Sequence, residues 1–128
     1  MSIFRRSQGA PGRVSVQEAA ARTGHGTSAG GGDAVLLDVR EPQEWRAGRA
    51  PWAVHLPLSA LAAGAGLPAE VQARPLVVIC RSGNRSRQAA ELLVARGAHA
   101  VDVVGGMREW AGAGLPVVDA RGGNGAVA

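Results

Sequence analysis

The run Leu76-Val77-Val78-Ile79 has no polar residue at either alternate position. A strand built this way has no face to show to water, so it must be covered on both sides, as inside a parallel sheet. Ala34-Val35-Leu36-Leu37-Asp38-Val39 repeats the pattern. Arg13-Val14-Ser15-Val16, Ala53-Val54-His55-Leu56 and Val101-Asp102-Val103-Val104 read as further strands, the second of these closed off by Pro57. Helical stretches fall between them. Gln17 to Arg22 is one, and Glu41 to Gly48 is another, with Pro42 inside its start and Gly48 just past its end. Short helical pieces are expected from Ser59 to Gln72, broken at Gly64, Gly66 and Pro68. A longer helix opens near Arg85 or Ser86, pairs Ala89 with Leu93 and Ala90 with Val94 at i, i+4, and ends at Gly97. Met107 to Ala111 supplies a last turn or two. Strand alternating with helix predicts an α/β fold with a central, mainly parallel β-sheet flanked by helices on both faces.

A chain of 128 residues holds one such domain and no second one. The expected limits are a flexible lead-in over 1–12, the domain over 13–118 and a Gly-rich, frayed tail over 119–128. Gly24 to Asp33 is too rich in glycine for regular structure and reads as a surface loop, most simply a tolerated insertion. No apolar stretch approaches the ~20 residues of a membrane span, and Met1 to Arg6 leads into no signal-peptide core, so the expected location is cytoplasmic. All 14 basic residues are arginine, and they are scattered apart from Arg5-Arg6 and a group near residue 80. With one Phe and three Trp there is little on which bases could stack, and neither nucleic acid nor membrane is an expected partner.

The one cysteine, Cys80, follows the Leu76–Ile79 strand and opens Cys80-Arg81-Ser82-Gly83-Asn84-Arg85-Ser86, directly before the long helix. That is the carboxyl end of a strand, where open α/β sheets carry their chemistry. A free thiol is only a few per cent thiolate at neutral pH, so nucleophilic use needs surroundings that stabilise negative sulfur. Three are available here. The backbone N–H groups of residues 81 to 86 can curl around one point, with Gly83 allowing a conformation denied to other residues. The following helix presents its positive end. Arg81 and Arg85 add full charges. A cysteine after a buried strand is often only an apolar filler, but Ser, Gly, Asn and two Arg in that turn have no packing rationale. None of His25, His55 and His99 neighbours the cysteine in sequence. A donor-rich cradle without a proton acceptor suits attack on a sulfane sulfur to give a persulfide, and suits ester or peptide hydrolysis poorly.

These residues resemble the rhodanese family. The Cys80 loop is similar to its active-site loop, and Leu37-Asp38-Val39-Arg40-Glu41-Pro42-Gln43-Glu44-Trp45 resembles its second-strand signature. Gly48 to Leu58 matches the segment that follows, and Gly105-Gly106-Met107-Arg108-Glu109-Trp110 with Gly114 to Val117 is like its closing segment. The match runs in order over residues 13–118. One departure is Gly48-Arg49-Ala50-Pro51-Trp52, where the family usually has Gly-His-Ile-Pro-Gly. The resemblance implies a sulfurtransferase that moves sulfur from a donor such as thiosulfate, through a Cys80 persulfide, to cyanide or a thiol. In that reading Arg81, Ser82, Gly83, Asn84, Arg85 and Ser86 cradle the small anionic donor. Asp38 and Arg40 support the loop, by direct contact or through a salt bridge involving Glu44. No metal or cofactor is implied, and a sulfur-acceptor protein is a possible partner. Two alternatives stand beside this. One is a non-catalytic rhodanese-like binding or regulatory module. The other is a cysteine phosphatase, which the count opposes, because such enzymes place Arg five residues beyond the cysteine's neighbour, where this chain has Ser86.

Overall fold

The structure, a computed structural model, describes residues 12–25 and 32–128. Five strands, β1 (Arg13–Val14), β2 (Val35–Asp38), β3 (Val54–His55), β4 (Leu76–Ile79) and β5 (Ala100–Val103), form one sheet in the order β1-β5-β4-β2-β3. Every neighbouring pair is parallel, with Leu37 opposite Val78 at the centre. Among the described residues five α-helices connect or follow them: α1 (Val16–Arg22), α2 (Pro42–Ala47), α3 (Leu58–Ala62), α4 (Arg85–Ala95) and α5 (Gly106–Gly112), with a 3-10 turn at Ala69–Val71.

The period-2 alternation of the strands divides the core in two. Leu36, Val77, Ile79 and Val103 face one side, under α1 and under Met107 and Trp110 of α5. Val35, Leu37, Leu76, Val78 and Cys80 face the other, under Leu61 of α3 and Ala89, Ala90 and Leu93 of α4. The central strands β2 and β4 are buried along their whole length. Helices therefore cover both faces of a parallel sheet, as the apolar runs predicted.

Local differences have local causes. Val16, expected in the first strand, begins α1, because the Ser15 hydroxyl accepts the Glu18 N–H at 3.1 Å and starts the helix there. Residues 119–128, expected to fray, turn back on the domain. The Asp119 carboxylate accepts the N–H groups of Arg121 and Gly123 at 2.9 Å each, folding the chain into a turn. The returning segment places the Ala126 N–H on the Ala47 carbonyl and packs Val127 against the α1/α5 side of the core. Residues 1–11 of the expected lead-in and the centre of the glycine-rich loop, 26–31, lie outside the described residues.

Candidate active site

Cys80 is the first residue beyond β4 and is buried, its side chain on the α4 side of the sheet. The chain then reverses tightly into α4. Gly83 takes φ +105°, which a side chain would strain, and its N–H points back at the Cys80 sulfur, 3.0 Å away. Asn84 precedes α4 with no side-chain cap bond, so the first-turn N–H groups of the helix stay free of side-chain acceptors. From the other side α5 clasps the loop: the Met107 N–H donates to the Cys80 carbonyl at 2.7 Å and the Arg108 N–H to the Arg81 carbonyl at 3.0 Å. Only glycine permits this approach, because a Cβ on Gly106 would overlap the Cys80 carbonyl oxygen.

The sulfur has a second partner in Ser86, whose hydroxyl lies 3.4 Å from it and 3.1 Å from Oδ2 of Asp102. Asp102 stands on β5, buried, and Arg13 of neighbouring β1 grips both its oxygens at 2.9 and 3.0 Å. Arg13 also donates to the Gly83 carbonyl at 3.0 Å. The hydrogen bonds to Asp102, and the charge of that carboxylate, hold the Arg13 guanidinium more firmly in its protonated form, against a smaller opposing effect of burial.

The two loop arginines are placed differently. Arg85 makes a two-pronged ion pair with Glu44 of α2, at 2.6 and 2.8 Å. Those hydrogen bonds lower the Glu44 carboxyl to about 2. Arg81 lies at the rim, where its Nε donates to the Ala128 carbonyl at 2.7 Å. Ser82 and Asn84 are exposed on the same rim.

Asp38 and Arg40 form a buried ion pair at 2.8 Å. Arg40 also donates to the Gly48 carbonyl at 2.6 Å and the Glu44 carbonyl at 3.3 Å, so the pair ties the end of β2 to α2. Glu44 is thus not a side-chain member of that bridge; its carboxylate belongs to Arg85. His55 stacks on Trp45 and meets the Arg40 carbonyl through Nε2, while neither partner of the Cys80 sulfur is a histidine.

Arg13 and Asp102 were not among the residues singled out from the sequence. A signal existed: a carboxylate inside Val101-Asp102-Val103-Val104 cannot be buried unpaired, so some donor had to face it. Which donor depends on strand order. Among the described residues no group of His, Cys, Asp or Glu could hold a metal ion, and no helix is long and apolar enough to cross a membrane.

Comparison with known proteins gives the following similarities. A sulfurtransferase of Allochromatium vinosum is 36% identical over 92 residues, 70% of this chain and 83% of that protein. An adenylyltransferase and sulfurtransferase, UBA4, of Yarrowia lipolytica is 35% identical over 77 residues, which is 60% of this chain but 19% of that much longer protein. Among solved structures, a rhodanese-related protein from Thermoplasma volcanium matches with a TM-score of 0.60 at 38% identity, covering 67% of this chain and 84% of that one. Residues 16–113, from the first turn of α1 to the end of α5, match the family described as the rhodanese-like domain, and the chain belongs to that family.

Proposed function

We propose that this chain is a sulfurtransferase that carries sulfur as a persulfide on Cys80. The observation that supports it best is the Gly83 N–H held 3.0 Å from a buried sulfur at the head of α4. A thiolate places its negative charge at this point, and a persulfide places it one sulfur further out within the same loop. In the first half-reaction the Cys80 thiolate attacks the outer sulfur of a donor such as thiosulfate. A Cys–S–S bond forms, the donor's S–S bond breaks, and sulfite leaves with the electron pair. In the second, cyanide or a thiolate attacks the outer sulfur and leaves as thiocyanate or a new persulfide, restoring the Cys80 thiolate. No step needs a proton acceptor beside the sulfur.

Arg81 and the rim residues Ser82 and Asn84 meet the incoming anion in this reading. Arg85 contributes chiefly by holding α4 against α2, since Glu44 already neutralises it. The names of the relatives from Allochromatium and Yarrowia support sulfur transfer as the reaction class. Intact-mass measurement tests the proposal. Thiosulfate should add one sulfur atom, cyanide or dithiothreitol should remove it, and Cys80→Ser should never acquire it. Failure of every sulfane donor to leave an adduct on the folded chain overturns the reading.

A further inference from the structure

The hydrogen bonds around Cys80 close into a ring: sulfur to Ser86, Ser86 to Asp102, Asp102 to Arg13, Arg13 to the Gly83 carbonyl, and the Gly83 N–H back to sulfur. Two members, Arg13 and Asp102, lie outside the cysteine loop, on β1 and β5. We propose that the Arg13–Asp102 ion pair is a positioning element for the Cys80 sulfur, acting through the Ser86 hydroxyl and the Gly83 peptide. The proposal rests on the sulfur-transfer reading for its purpose, and on the ring alone for its geometry.

Ser86 carries one hydroxyl hydrogen and can give it to one neighbour at a time. Beside a thiol, the hydroxyl donates to Asp102 and its oxygen receives the S–H hydrogen. Once the sulfur is negative it becomes an acceptor, and the hydroxyl hydrogen turns from Asp102 to the sulfur. Asp102 is then buried without its serine donor, an arrangement that would be costly for an isolated carboxylate. Arg13 removes the obstacle, because it supplies two N–H groups to Asp102 in either state. It also anchors the Gly83 carbonyl, which fixes the turn that aims the Gly83 N–H at the sulfur.

Charge gives the pair a second effect, of opposite sign for its two members. Asp102 stands two hydrogen bonds from the sulfur and opposes negative charge there; Arg13 offsets it. Among the described residues, Arg81 stands in the same loop and Arg85 at the start of α4 also feels the sulfur, backed by Glu44, whose carboxyl is ionised throughout the working range at about 2. The helices packed against Cys80 on its side of the sheet present apolar residues, Leu61 from α3 and Ala89, Ala90 and Leu93 from α4.

An ion pair that merely holds two strands together would give the same result whichever partner is removed. A positioning pair would not. The test is the rate of alkylation by iodoacetamide, followed by intact mass on the full chain across pH 5 to 10 (roughly the range of thiol titration); with one cysteine in the sequence, the signal belongs to Cys80. Asp102→Asn leaves Arg13 unopposed and should move the profile to lower pH. Arg13→Gln leaves Asp102 unopposed and should move it to higher pH, each with about a tenfold change in rate on the rising limb. Arg13→Lys, which keeps the charge, should lie near the parent, and it remains informative should Arg13→Gln not fold. Profiles that coincide with the parent's, or that shift together in one direction, overturn the proposal. The readout uses no sulfur donor. A thiosulfate adduct without profile shifts sinks this proposal alone, whereas profile shifts without any adduct sink the sulfur-transfer reading and leave the ion pair's action on the thiol in place.

Discussion

Trp52 stands where the resemblance to the family would place glycine, and its backbone takes a conformation that favours glycine. Its φ is +46°, in the left-handed region where glycine sits comfortably and a bulky side chain does not. Two contacts hold it there. The indole stacks on the His25 ring with centroids 4.7 Å apart, and its Nε1–H donates to the Thr23 carbonyl at 3.3 Å. The stacking offsets the backbone strain, so the two costs can be separated by substitution. Trp52→Ala keeps the strain and loses the stack, while Trp52→Gly loses both. The glycine variant should therefore be the more stable of the two by about 1 kcal/mol, read from urea midpoints. The opposite order would mean that the turn carries no strain. The cysteine loop shows what is legible at this scale: Cys80, Gly83 and Ser86 lie within seven residues, and their meeting follows from a strand-turn-helix pattern alone. Arg13 and Asp102 are 89 positions apart, and nothing in either's own neighbourhood names the other.

At the scale of elements, the strands and helices follow from apolar periodicity, because each of these segments has only one face or two to bury. Their boundaries were set by single polar groups that periodicity does not weigh, as Ser15 did for α1. Pairing between elements was less accessible. Glu44 could be read from sequence only as a neighbour of Asp38 and Arg40, yet it joins α2 to α4 across 41 positions through Arg85. This clamp has a pH signature. The Arg85 hydrogen bonds lower the Glu44 carboxyl to about 2 from its ordinary 4.5, so the folded state holds fewer protons than the unfolded chain between those values. Its stabilisation is complete above about 4.5 and is lost as pH falls through about 2. Glu44→Gln should be less stable than the parent at neutral pH, and the difference should shrink steadily below about 4.5. Denaturant unfolding at several pH values measures this, and a gap independent of pH would refute the clamp.

For the whole molecule, the returning segment 119–128 closes the surface over the connection between α2 and β3. Val118 pairs with Arg49 on one side and Asn124 on the other, and Ala126 reaches Ala47. Deleting residues 119–128 leaves the Val118–Arg49 pairing but removes the Val118–Asn124 and Ala126–Ala47 contacts and the partly buried Val127, and should lower stability by about 1–2 kcal/mol. Thermal melting of the shortened chain checks this, and an unchanged midpoint would mean that the segment adds nothing. The sheet order has a consequence in time as well as in space. Among the described residues strand β1 pairs only with β5, made 89 positions later, so Arg13 is synthesised long before the residue that holds it exists. Closing so long a loop comes late in folding and gains nothing until both ends meet. A chain synthesised only a short way past Cys80 still lacks Asp102, and its thiol stays without the finished ring until Asp102 joins it.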